Sequence, residues 1–339
     1  PGKTAKIGWV LARPLDKGET RQYRLTAQEQ APLSAGASGV SVEDDGRSLL
    51  VNVGERPALR YNYEVNEGPK GMDPIYRRSG YIHPLFTPSG RELTGDFPAD
   101  HPHQHAVFFA WTNTSLDGRP LNFWDQKGRT GRIEHVKLEG ERERGPVFAQ
   151  FGARLRHLDI TTPESPQPVL NENWVVRVYN TKGYFLVDLY SRQRNTSVWP
   201  LVLNKYHYGA MAIRGNDQWF GKPNAMKGFL TSDGKGREDG NATRARWVEM
   251  HGDLDGQPAG VAIMGHPKNF RAPQPVRLHP SKPYFCFAPM ALGEFEIKPD
   301  ESYVSQFRFY LHDGPVDAKE SERLWNDYAN PPKVVIVKP

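Results

Sequence analysis

The chain has 339 residues, with 32 Gly, 29 Pro and a formal net charge of +5 from 44 Lys and Arg against 39 Asp and Glu. Gly and Pro exceed their combined background of roughly 12%, without a collagen-like period, and 11% of residues are aromatic, which excludes fibrous and disordered classes and describes a turn-rich globule. The positive charges are scattered, against a nucleic-acid partner, and no apolar stretch approaches the ~20 residues needed to span a bilayer.

The patterning is mostly of period two. Leu49 to Val53 and Ala58 to Glu64 read as paired strands behind the turn Glu43-Asp44-Asp45-Gly46. Arg132 to Glu139, Val147 to Ile160, Glu172 to Tyr179 and Tyr184 to Arg192 alternate apolar and polar residues, and Asn180-Thr181-Lys182-Gly183 joins the last pair as a hairpin. Val202 to Ile213, Ala245 to His251 and Gly260 to Met264 continue the series, with a turn at 253–257. Tyr284 to Ala288, Gly293 to Ile297 and Ser302 to His312 follow, and Lys298-Pro299-Asp300-Glu301 is the turn between the last two strands. Only Asp317 to Tyr328 reads as a helix, with Asp317 as N-cap and Glu320, Leu324 and Tyr328 at helical spacing. The expectation is an all-β fold, a large antiparallel β-sandwich with one C-terminal helix. An N-terminal extension over 1–20, a single sandwich domain over 21–330 and a tail over 331–339 complete the expected organisation. The only cysteine, Cys286, lies in an apolar run and reads as a buried small hydrophobe.

Four of the eleven histidines fall between His83 and His105, in Tyr81-Ile82-His83-Pro84 and Asp100-His101-Pro102-His103-Gln104-His105, just before the strand Ala106 to Trp111. In an extended chain, residues two apart share a face, so His103 and His105 are expected to converge on one ligand or one divalent metal ion. No Glu follows at the spacing of a cupin iron site. In Asn204 to Met211 the expected strand puts Tyr206 and Tyr208 on one face and His207 on the other. Gly265 to Pro275 places His266, Asn269 and Arg271 in a polar loop after an apolar strand, the usual setting of a binding rim. Trp111 is among the tryptophans able to stack on a sugar ring. GxGxxG, P-loop, GxSxG and HExxH motifs are absent, which removes the commoner dinucleotide, nucleotide, serine-hydrolase and zincin readings.

The segments Gly80 to Gly90, Asp100 to His105, Ala245 to Val248, Gly260 to Ile263, His266 to Arg271 and Tyr284 to Pro289 resemble a bacterial family of unknown function that carries the label PmoA-like, or "methane oxygenase PmoA". The resemblance covers about residues 45 to 330. It implies a galactose-mutarotase-like β-supersandwich, a fold used by sugar epimerases, glycoside hydrolases and polysaccharide lyases. Family members often have two adjacent histidines where this chain reads His103-Gln104-His105.

The leading expectation is a carbohydrate-active enzyme acting on a sugar or uronic-acid derivative. His103, His105, Tyr206, His207 and His266 are its expected catalytic residues, and His83, Asn269, Arg271 and Trp111 its expected substrate contacts. His103 and His105 are alternatively ligands of a divalent metal, the cofactor otherwise being unknown. Asp73, Asp96, Asp100, Asp125 and Glu249 are the carboxylates available to two-carboxylate glycosidase chemistry. A non-catalytic carbohydrate-binding sandwich and a metal-dependent oxygenase are the alternatives. The expected partner is a sugar or oligosaccharide, with no nucleic acid and no membrane span. Because the chain starts at Pro1 no export signal is readable; a periplasmic or secreted location is expected, a cytoplasmic one being left open.

Overall fold

The computed structural model describes residues 39–219 and 228–336, together with 9, 11, 15, 16 and 18–24. In chain order the strands begin with β1 (Val40–Asp44), β2 (Ser48–Val53), β3 (Arg56–Asn62), β4 (Tyr81–Leu85), β5 (Val107–Ala110), β6 (Thr114–Leu116) and β7 (Arg119–Leu121). Four long strands follow, β8 (Gly131–Glu143), β9 (Phe148–Asp159), β10 (Gln167–Tyr179) and β11 (Tyr184–Asn195). After them come β12 (Leu201–Leu203), β13 (Ala210–Arg214), β14 (Gly228–Thr231), the single turn α1 (Arg237–Gly240), β15 (Trp247–Leu254) and β16 (Gln257–Gly265). The series closes with β17 (Val276–Leu278), β18 (Tyr284–Phe287), β19 (Phe295–Ile297), β20 (Ser302–Asp313) and α2 (Ala318–Ala329).

These strands build three antiparallel sheets. The first has the order β1-β2-β3-β4-β5-β13-β18-β17, the second β14-β15-β16-β20-β11-β10-β9-β8, and a small third β19-β12-β6-β7. The alternation in β9 to β11 and β20 turns every second side chain into the space between the two large sheets. There Tyr61 of β3 lies 5.2 Å from Phe151 of β9 and 6.1 Å from Trp174 of β10, ring centre to ring centre, so the sheets share one apolar core. Cys286 is buried in it, and burial pushes its thiol up to about 11, where it is inert.

The all-β architecture and the C-terminal helix stand. Asp317 caps α2 by accepting from the amides of Lys319 and Glu320, and Leu324 packs against Trp247, Met264 and Tyr310 on the outer face of the second sheet. One local expectation does not hold. Val202 to Ile213 is two strands in two different sheets, broken over 204–209, where Gly209 has φ 139° and Ala210 φ 68°. The expected turn at Lys298 to Glu301 does lie between β19 and β20, and it carries the chain from the third sheet into the second. Parts of the expected extension (1–8, 10, 12–14, 17) and of the tail (337–339) lie outside the described residues. Among the described residues no helix is long and apolar enough to cross a membrane.

Candidate functional site: an imidazole cluster at one end of the first sheet

Pairing of Val107 with Ile213, Arg214 with Tyr284 and Leu278 with Phe285 brings four strand ends together: the starts of β5 and β18 and the ends of β13 and β17. Each connection at that end is rich in polar residues, and their side chains meet there. The Asp100 carboxylate receives the Lys282 ammonium and has Arg214 Nη1 at 3.8 Å; Lys282 Nζ also lies 2.8 Å from His101 Nδ1. The His101 ring is 5.5 Å from that of His103 and 6.1 Å from that of His279. His103 Nδ1 is 3.6 Å from Asp125 Oδ1, an oxygen fixed in place because it also caps the turn 126–128 through the Lys127 amide. Behind these groups, Trp124 packs on Tyr208 and Tyr284.

The electrostatics follow from this crowding. Burial outweighs the neighbouring Asp125 and holds the His103 imidazole down to about 4, so the ring is neutral at pH 7. His279 is likewise held at about 4, by burial first and then by the charges of Lys282 and Arg277. Burial alone would raise Asp100, but the Lys282 hydrogen bond and the Arg214 charge hold it at about 2. A lysine ammonium has no acceptor, so His101 Nδ1 accepts from it and the ring proton sits on Nε2. Among the described residues Arg277 meets a neutral amide, Asn241 Oδ1 at 3.2 Å, and no carboxylate.

A second, buried layer adjoins the cluster. His105 Nδ1 lies 3.0 Å from Asp96 Oδ1, and Tyr81 Oη donates to Asp96 Oδ2 at 2.8 Å. Phe97, Tyr81 and Phe108 surround the His105 ring. His83 Nδ1 is 3.1 Å from Thr94 Oγ1 nearby, and burial lowers both imidazoles. The expected convergence of His103 and His105 therefore does not occur: His103 faces Asp125 and His101, while His105 is fully buried on Asp96. The reason is local. Residues 99–104 form turns, and Ala106 has φ 46°, so the parity rule for extended chain does not apply. Nor do the two rings offer a shared metal position, and among the described residues no group of three or more His, Cys, Asp or Glu is placed to hold a metal ion.

The other expected residues divide clearly. Tyr206, His207 and Tyr208 lie in the loop between β12 and β13, not on alternate strand faces; their three rings contact one another at 4.5 to 4.8 Å, and Tyr208 joins them to Trp124 at the cluster. His266 is elsewhere, edge-on to Tyr328 of α2 at 5.0 Å on the outer side of the second sheet. The Asn269 amide bonds to the backbone of Gln306. Arg271 donates to the carbonyls of Pro289, Gly293 and Glu294, so its guanidinium ties loops together and is not free to clamp a carboxylate. Trp111 is fully buried, its indole N–H donating to Gln193, and presents no face to a ligand.

Sequence reasoning passed over Lys282, Arg277 and Arg214, and it gave no site role to His101 or His279. The repeated His-Pro steps at 101 and 279 were the available signal. It also passed over a buried hub: Glu172 accepts from His157 Nε2 at 2.8 Å, Trp174 Nε1 at 2.6 Å, Ser191 Oγ at 2.5 Å and Gln193 Nε2 at 2.9 Å, and is held ionised against the cost of burial.

Among solved structures, the chain is similar to heparan sulfate lyase HepC from Pedobacter heparinus, with 14% identity, TM-score 0.38, and coverage of 86% of this chain and 38% of that one. It is similar to a galactose mutarotase related enzyme from Lactobacillus acidophilus, with 9% identity, TM-score 0.33, and coverage of 82% and 100%. The GH36 alpha-galactosidase AgaB from Geobacillus stearothermophilus gives 10% identity, TM-score 0.37, and coverage of 82% and 40%. The chain thus spans about two fifths of the lyase and of the galactosidase. No curated protein matches it. A sequence profile matches over residues 48–326, and the chain belongs to that family, the family of unknown function DUF6807.

Proposed function

We propose that this protein is a carbohydrate-active enzyme that moves a proton at a sugar ring bearing an acidic group, the step common to sugar epimerases and polysaccharide lyases. The observation that carries the reading is the pairing of His103 with His101. With Nδ1 turned to Asp125, the neutral His103 ring presents its Nε2 lone pair, and the carboxylate 3.6 Å away favours the imidazolium formed when it takes a proton. His101, whose Nδ1 accepts from Lys282, has its proton on Nε2 and can return one from a ring 5.5 Å away. Arg277, which faces no carboxylate among the described residues, supplies positive charge for a uronate carboxylate beside the two imidazoles, and Tyr206 and Tyr208 lie at the rim.

The test is hydrogen–deuterium exchange at ring carbons of uronic acids and uronate oligosaccharides, followed by NMR in D2O. Exchange or elimination catalysed by the parent chain should be lost in His103→Ala and His101→Ala with the melting temperature held. Turnover that survives both substitutions sinks the assignment.

A further inference from the structure

We propose that the outer face of the second sheet is a docking surface for a polyuronate, a polysaccharide with a carboxylate on successive sugars. It is separate from the imidazole cluster and does not rest on the activity proposed there. The basic residues that carry it are dispersed along the chain and are gathered by strand register. Arg156, Asn171 and Arg194 stand opposite one another across β9, β10 and β11, and Arg154, Asn173 and Arg192 form the adjacent row. Their chain neighbours Leu155, Glu172, Trp174 and Gln193 are buried on the inner face, so all six side chains emerge on the outer one. At a strand spacing of ~4.8 Å, the two arginines of each row start ~10 Å apart, with an asparagine between them.

Half of this positive charge is uncompensated. Arg194 meets Asp300 at 2.7 Å, and Arg154 shares Glu139 with Lys137, at 2.5 and 3.7 Å. Among the described residues neither Arg156 nor Arg192 has a carboxylate within ion-pair distance. Arg192 Nε donates to the Ser302 hydroxyl at 3.1 Å, and Glu134, opposite Arg156 on β8, lies against Arg132 instead. The ion pairs that do form are open to solvent, hold by about 1 kcal/mol or less, and can yield to an incoming anion. A guanidinium fork takes a carboxylate through two parallel hydrogen bonds, and the Asn171 amide, without a partner among the described residues, offers a donor and an acceptor to the hydroxyls between. Spaced, half-compensated arginines suit one carboxylate per sugar and not a densely sulfated chain. Neither row carries an aromatic side chain on which bases could stack, and a flat sheet face does not enter a duplex groove, which disfavours nucleic acid.

Isothermal titration calorimetry of the whole chain with polygalacturonate, alginate and hyaluronan tests this. The parent chain should bind at least one of them, more weakly as salt is raised, because exposed charges are screened. Arg156→Gln with Arg192→Gln should weaken that binding about tenfold. Arg47→Gln with Lys182→Gln removes the same charge at exposed positions in the turn before β2 and in the β10–β11 hairpin, and should bind like the parent, as should His103→Ala. Arg192→Glu alone, at an exposed position, gives the same reading if the double variant does not fold. The proposal is overturned by no binding to any of the three polymers, by undiminished binding in the folded arginine variants, or by an equal loss in the charge control. Tighter binding of dextran sulfate or duplex DNA overturns it too, and loss of binding in His103→Ala would place the polymer at the imidazole cluster instead.

Discussion

His103→Ala and His105→Ala, two residues apart in sequence, should have opposite consequences. His105 is fully buried among Phe97, Tyr81 and Phe108 and holds the Asp96 carboxylate. Its truncation removes a hydrogen bond to a charged group, worth roughly 1.5–3 kcal/mol, and leaves a cavity of aromatic size in a close-packed layer, for a combined loss of about 4–5 kcal/mol. At roughly 2 °C per kcal/mol for a chain of this length, the melting temperature should fall by about 8–10 °C. His103 keeps 14% of its side chain exposed, and its 3.6 Å approach to Asp125 is longer than a hydrogen bond, so its truncation should cost about 1 kcal/mol or less. Calorimetry at pH 7.5 on both variants and on His105→Asn, whose amide can reproduce the donor to Asp96, is the assay. Equal shifts for His103→Ala and His105→Ala, or no recovery in the asparagine variant, would refute the division into an open layer of the cluster and a buried supporting one.

Glu172→Leu leaves four buried donors unanswered, each costing roughly 1–3 kcal/mol, which consumes most of an ordinary folding free energy and should abolish folded expression; Glu172→Gln, after a tautomer change at His157, should fold with a lowered melting temperature. The neutral rings of His103, His135 and His279, each held at about 4 chiefly by burial, bind protons less readily in the folded chain than in the unfolded one near 6.5. Their contribution to stability is therefore present above about pH 6.5 and lost as pH falls toward 4. The melting temperature should be flat from pH 8 to 7 and decline through that window, and the His103 ring resonances should not titrate above pH 5. Asp317→Ala removes a cap that accepts from two amides and should cost about 1 kcal/mol, close to 2 °C by calorimetry.

Strand character, the hairpin at 180–183 and the capped helix were legible in the sequence, because period-two burial, turn residues and capping are properties of neighbours along the chain. Which strands share a sheet was not: nothing within residues 201–213 states that its two ends belong to different sheets. The imidazole cluster divides the same way. The histidine density around 101–105 marked the loop that enters the imidazole cluster, but one left-handed residue, Ala106, and the turns before it undid the alternation that would have paired His103 with His105. Arg271 looked like an anion clamp until the fold filled its donors with three carbonyls, whereas Lys282, about 180 residues beyond Asp100, became part of the site only through the pairing of β13 with β18. Local chemistry chose the residue types present, and long-range strand pairing decided which of them face one another, because hydrogen-bond partners, burial and charge neighbours are all set by contacts that sequence distance does not encode.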